Sequence, residues 1–194
     1  TQAGPATVTA YQNVEMSQNL LGNNVSVVGG ANANAVAVIQ ALSGGVLFGS
    51  DTFSGGHAIT VGSTLSQAPS QILAGASAMS LNGLGDLIVQ GGSAASAHAQ
   101  IFSTAGAINI QTANLSVTGG SQANAFAQIA TLNGDLSLHL AGNLTVTGGA
   151  AATSTNAFAQ IGAGSIGNSA NTVVSTIDFS QIIGSATLTG GAAS

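Results

Sequence analysis

The chain alternates short aliphatic runs with Gly, Ser, Thr and Asn, and the whole pattern recurs. Leu115-Ser116-Val117-Thr118-Gly119-Gly120 leads to Asn124-Ala125-Phe126-Ala127-Gln128-Ile129. The same pair of phrases returns at Val25–Gly30 with Asn34–Ile39, at Leu87–Gly92 with Ser96–Ile101, and at Leu144–Gly149 with Asn156–Ile161. A degraded copy runs Ile59-Thr60-Val61 and then Ala68-Pro69-Ser70-Gln71-Ile72, and a half-copy closes the series at Ala186–Gly191. Successive first-strand residues (Val25, Ile59, Leu87, Leu115, Leu144, Ala186) are 34, 28, 28, 29 and 42 residues apart, a unit of 28–29 with two enlarged members. Self-similarity at such a period marks one structural unit stacked on itself.

Each unit reads as three short strands. In the first, two-residue alternation sets Val25, Leu87, Leu115 and Leu144 with Val27, Val89, Val117 and Val146 on one face, and Ser and Thr on the other. The second is the Asn-Ala-Phe-Ala-Gln-Ile phrase. Its Ala and Ile face inward, leaving a surface stripe of Val36, His98, Phe126 and Phe158 beside Gln100, Gln128 and Gln160. The third comprises Met79-Ser80-Leu81, Ile108-Asn109-Ile110 and Leu136-Ser137-Leu138. None of these makes a sheet alone. Equivalent strands stacked about 4.8 Å apart pair their backbones and merge single apolar rows into a core.

The expected fold is therefore all-β: a right-handed parallel β-solenoid of six to seven coils, roughly 30 Å long. One domain fills 1–194, with a partial coil at 1–23, regular coils at 24–161, and an enlarged last coil with an open half coil at 162–194. The enlargements fall at 43–58 and 162–185, where 172–183 is itself strand-like. The Gly-Gly corners fit positive φ or close approach between coils. Asn24, Asp86, Asn114 and Asn143 precede the first strand and fit a ladder along stacked corners. Pro69 occupies the Phe126 position and, lacking an N–H, is expected to disturb its coil.

Composition narrows the function. The chain has no Lys, Arg or Cys and five acidic residues, Glu15, Asp51, Asp86, Asp135 and Asp178. Phosphate recognition by cations, and with it ordinary nucleic-acid binding, is excluded. No apolar run approaches the roughly 18 residues of a membrane span, and a chain without Lys or Arg offers trypsin-like proteases no site.

Catalysis is not expected, nor any cofactor or metal. Asp135, Ser137 and His139 share a strand face, but neighbours two apart are nearly 7 Å apart, too far to relay a proton. His57, His98 and His139 fall in a turn, a second strand and a third strand, too dispersed for a shared metal. The remaining carboxylates are scattered.

The Gly-Gly-punctuated units, Asn143-Leu144-Thr145-Val146-Thr147-Gly148-Gly149 above all, resemble the repeats of filamentous-haemagglutinin-like exoproteins over about 24–191. The resemblance implies a secreted bacterial surface fibre or adhesin built on a β-helix. The chain departs from that family in its longer period and in lacking a recognisable secretion domain.

Three readings compete. One is an extracellular structural subunit stacking head to tail on itself, because Thr7-Val8-Thr9 supplies a spare strand at one end while the series breaks off after Gly190-Gly191. Self-assembly or lateral contact then falls to Thr7, Val8, Thr9, Val36, Phe126, Phe158, Gly190 and Gly191. The second is a cell-surface adhesin segment binding a host or matrix glycan or protein. The third is an ice-binding solenoid, suggested by Thr145/Thr147 and Thr187/Thr189 and broken at Ile88/Gln90.

Overall fold

The computed structural model describes residues 4–16, 24–48, 57–150, 156–164 and 175–191. Asp51, residues 49–56 of the first enlargement and residues 165–174 of the second lie outside the described residues. The described residues form a parallel β-solenoid without helices, about five turns of roughly 29 residues each between its first and last tiers, fewer than the six to seven coils expected. Its strands are numbered β1–β16 along the chain.

They stack in three columns of six tiers. The first column holds β1 (Ala6–Ala10), β4 (Ala37–Ala41), β7 (Ser70–Ala74), β9 (Ala99–Ser103), β11 (Ala127–Thr131) and β14 (Ala159–Ala163). The second holds β2 (Val14–Met16), β5 (Val46–Phe48), the first half of β8 (Met79–Gln90), the first half of β10 (Ile108–Thr118), β12 (Leu136–Leu140) and β15 (Ile177–Ile182). The third holds β3 (Val25–Val27), β6 (His57–Gly62), the second halves of β8 and β10, β13 (Leu144–Thr147) and β16 (Ala186–Thr189). Because β8 and β10 run unbroken round one corner, the second and third columns form a single ten-stranded sheet.

The register is the one the repeats predict. Val25, Ile59, Leu87, Leu115, Leu144 and Ala186 lie in one row, and Val27, Val61, Val89, Val117, Val146 and Leu188 in the next. Inward rows from the three columns meet in one core, where Leu87, Ile101, Ile108, Leu115, Ile129 and Leu136 are almost wholly buried. Burying a side chain of that size contributes roughly 1.5–3 kcal/mol, so a row of aliphatics offsets the ordering of the small residues between strands. The repeat comparison overlooks two strands, β2 in the N-terminal partial coil and β5 in the first enlargement, whose Val14 and Val46 pair in register.

The corners differ from expectation in two ways, and the Gly-Gly pairs take one of the two roles expected of them. The first-column strands begin three residues late, at Ala99, Ala127 and Ala159, because Ser96, Asn124 and Asn156 adopt left-handed φ of 65°, 57° and 69°. A strand cannot continue through that conformation, and Asn tolerates it better than most residues. The Gly-Gly pairs do not supply the positive φ; among the described glycines only Gly62 and Gly164 have it. They serve close approach instead. A methyl group on Gly120 would strike the backbone carbonyl of Gly92 in the coil below, and Gly92 stands in the same relation to Ser66. Pro69, finally, does not disturb its coil. The ladder uses only the carbonyl at its position: Ala37 donates to Pro69, Ser70 to His98, and Ala99 to Phe126.

Gly120→Ala should therefore lower stability by about 1–3 kcal/mol in urea melts, as overpacking against fixed backbone does. Gly190→Ala, with no atom within 4 Å of the added methyl, should leave the midpoint unchanged.

Candidate functional site

Stacking places each residue type on its own kind, and three side-chain ladders run along the rod. At the corner before the third column, Asn24 Oδ1 accepts the Ala58 N–H at 3.1 Å, and Asn114 Nδ2 donates to Asp86 at 2.8 Å. Asn114 Oδ1 then accepts the Asn143 N–H at 2.9 Å, and Asn143 Oδ1 that of Ser185 at 3.0 Å. The expected corner ladder is present, three of these four links being side-chain carbonyls that cap the next coil's N–H groups.

The second ladder is of glutamine. Gln71 Nε2 donates to Gln100 at 3.1 Å, Gln100 to Gln128 at 2.8 Å, and Gln128 to Gln160 at 3.0 Å. Every amide points the same way. The signal in the sequence was a Gln immediately before the inward isoleucine of four units.

Beside it lies the expected stripe. Register sets Val36, Pro69, His98, Phe126 and Phe158 in one row, just ahead of the paired residues Ala37, Ser70, Ala99, Ala127 and Ala159. His98 stacks on Phe126 (centroids 4.7 Å, planes 8° apart), and Phe126 on Phe158 (5.1 Å, 9°). Val36, His98 and Phe126 are half-buried and Phe158 is 37% exposed, so the row is partly open to a neighbour. In the third column Thr145/Thr147 and Thr187/Thr189 are adjacent in register, and Ile88/Gln90 interrupt the array two tiers below Thr145/Thr147.

The polar groups weighed for catalysis behave differently from the sequence reading. Ser137 Oγ lies 3.2 Å from His139 Nε2, because the imidazole folds back along the strand and closes the gap that backbone spacing implies. Asp135 does not complete a triad. Its Oδ1 accepts the Thr176 N–H at 2.8 Å and hydroxyl at 3.0 Å, and these bonds hold its carboxyl below the usual carboxylate range. Ser137 and His139 border a shallow cleft of about 260 Å³ shared with Ser80, Asn82, Asn109 and Gln111. His57 opens β6 rather than lying in a turn, His98 precedes β9, and His139 lies in β12. Among the described residues no three His, Cys, Asp or Glu form a metal-sized group.

The assembly residues fall at opposite ends. Thr7, Val8 and Thr9 lie on β1, which pairs only β4 among the described strands, and Val8 is 50% exposed. Gly190 and Gly191 follow β16, exposed at the other end. There Leu188 and Ile183 are 75% and 82% exposed, although the Leu188 row is buried in the tiers at Val61, Val89 and Val117. The first end is less open, since Val14 and Val27 are already buried.

His98 carries the clearest electrostatic signature. Burial lowers its pKa, against the opposing effect of its contact with the Ser96 carbonyl. With Nδ1 donating to Ser96 O (3.1 Å), Nε2 accepts from Gln71 Nε2 (3.0 Å), and protonation would set two donors face to face. Stability from a neutral buried imidazole is complete above its unfolded pKa and is lost as pH falls towards the lower folded value. His98 should titrate below 6.5 by NMR. His98→Phe, which extends the aromatic row, should flatten the fall of melting temperature through the histidine range.

Set against known proteins, the chain matches no family model, no curated protein and no solved structure.

Proposed function

We propose that this chain is an extracellular structural protein whose solenoid stacks head to tail on copies of itself into a fibre. The observation that carries the reading is the match between the two end tiers. Continuing the internal register across a junction sets Ala159, Ile161 and Ala163 of β14 over Ala6, Val8 and Ala10 of β1. It also sets Gly190-Gly191 over Gly29-Gly30, and Ile177 and Leu188 over Val14 and Val27, which are already buried in the free subunit and must open to receive them. Aliphatic meets aliphatic and corner glycine meets corner glycine. The Gln160 amide, last in its ladder, meets the hydroxyl of Thr7, which accepts a hydrogen bond.

Such a contact is heterologous: each copy uses one face above and a different one below, and an unclosed contact of this kind builds a filament. The absence of Lys and Arg and the likeness to filamentous-haemagglutinin-like repeats support placement outside the cell or on its surface. A second reading, a surface adhesin segment, draws on the half-exposed His98, Phe126 and Phe158 row, a contact surface for a glycan or protein; the two are compatible in one fibre.

Negative-stain imaging across acid and neutral pH should show filaments with an axial repeat of about 29 Å, six tiers at about 4.8 Å each. Val8→Asp and Leu188→Asp should each abolish filaments while leaving the melting temperature of the free subunit within a few degrees. Mixed together, the two variants should give a one-to-one dimer and nothing longer, since each retains one sound face. Single rods of uniform length under every condition would overturn the proposal.

A further inference from the structure

Glu15 and Asp178 occupy the same outward row of the second column at opposite ends of the rod. The row runs Glu15, Leu47, Ser80, Asn109, Ser137, Asp178. Within one subunit the two acids are five tiers apart and do not interact. In a head-to-tail stack they become nearest neighbours, with backbones about 4.8 Å apart. Neither copy brings a Lys or Arg to separate them. We infer that the end-to-end contact is gated by acid: the Glu15–Asp178 pair opposes stacking at neutral pH, and protonation of one of the two carboxyls releases it. This rests on the stacking reading above and adds its regulation.

The groups around both acids act in the same sense or not at all. Glu15 is exposed, bonded to Asn13 Nδ2 at 3.4 Å, and faces Val46, Leu47 and Phe48 of β5, none of them titratable. The nearby β4 has no titratable group, and Tyr11 lies at the corner before β2. Asp178 faces Ser137 and His139 of β12, with Asp135 at the preceding corner already bonded to Thr176. A protonated His139 beside Asp178 would weaken the repulsion further. In the free subunit Asp178 is held below the ordinary carboxylate range by its Ser180 hydrogen bonds, so it stays ionised until the pH is low. Bringing a second carboxylate beside it raises the pKa of the pair. Stacking then takes up a proton, and by linkage it strengthens as pH falls.

Salt screens the same repulsion, so neutral solutions at high ionic strength should also begin to stack. The test follows filament formation by light scattering and imaging from pH 7.5 down to about 3.5, the range spanning carboxylate titration. Wild type should stack only in the acid part of the range. Glu15→Gln and Asp178→Asn each leave no like-charged pair at the junction, so each should form filaments at neutral pH, as the double variant should. Asp86→Asn removes the same charge from the side of the rod, where Asp86 bonds Asn114, and should leave the midpoint in place. If Asp86→Asn moves it as far as Asp178→Asn does, net charge is responsible and the gate is overturned. If wild type and double variant form filaments alike at neutral pH, the gate fails and the stacking reading survives. If no variant forms filaments at any pH, both are lost.

Discussion

Parallel stacking in register is the constraint from which the rest of this molecule follows. Each tier receives its backbone hydrogen bonds from the next, each worth about 0.5–1.5 kcal/mol net. The geometry that makes them sets every side chain directly over its equivalent. A residue type is then tolerated to the extent that it suits itself at strand spacing. Aliphatics interlock, amides donate to amides, and flat rings lie face to face, as Leu115, Gln128 and Phe126 do with their neighbours. Ions of one sign do not. A repeated Lys or Glu would line up like charges along the whole rod, which gives a physical reason for so sparse a charge content. The described acids keep apart: Asp86 sits beside Asn114, Asp135 is bonded to Thr176, and Glu15 and Asp178 take the two extreme tiers.

The same constraint explains what could be read from the sequence. A column of equivalent residues is an alignment of the chain with itself, so Val25 through Ala186 could be placed in register from spacing alone. Strands β2 and β5 were not legible: β2 lies ahead of the first repeated phrase, and the first enlarged unit interrupts the period where Val46-Leu47-Phe48 would be compared with its equivalents. Which of the two roles the glycine corners take, and what Pro69 does to its coil, were not legible for a different reason. Whether a position needs an unusual φ, a missing side chain or only its carbonyl depends on how the ladder threads that corner, and residue type does not encode this. Asn124 takes the left-handed turn, and Gly119-Gly120 the close approach between coils.

The candidate site was legible in location but not in detail. Thr7–Thr9 and Gly190-Gly191 do stand at opposite ends, and Val36, Phe126 and Phe158 do share a row. The Ser137–His139 bond was missed because strand spacing measures backbone separation, whereas a long side chain reaches over the intervening residue. The burial of Val14 and Val27 at the first end also has no trace in the repeat pattern.

The glutamine column has a consequence of its own. From Gln71 to Gln160 each amide hands its hydrogen to the carbonyl of the following coil. Turning one round would press oxygen against oxygen on one side and hydrogen against hydrogen on the other, so the sense chosen at any level is inherited by all. The rod is thereby an arrow, with a head and a tail that differ in chemistry. A thread built from such arrows would lengthen at unequal speeds at its two tips.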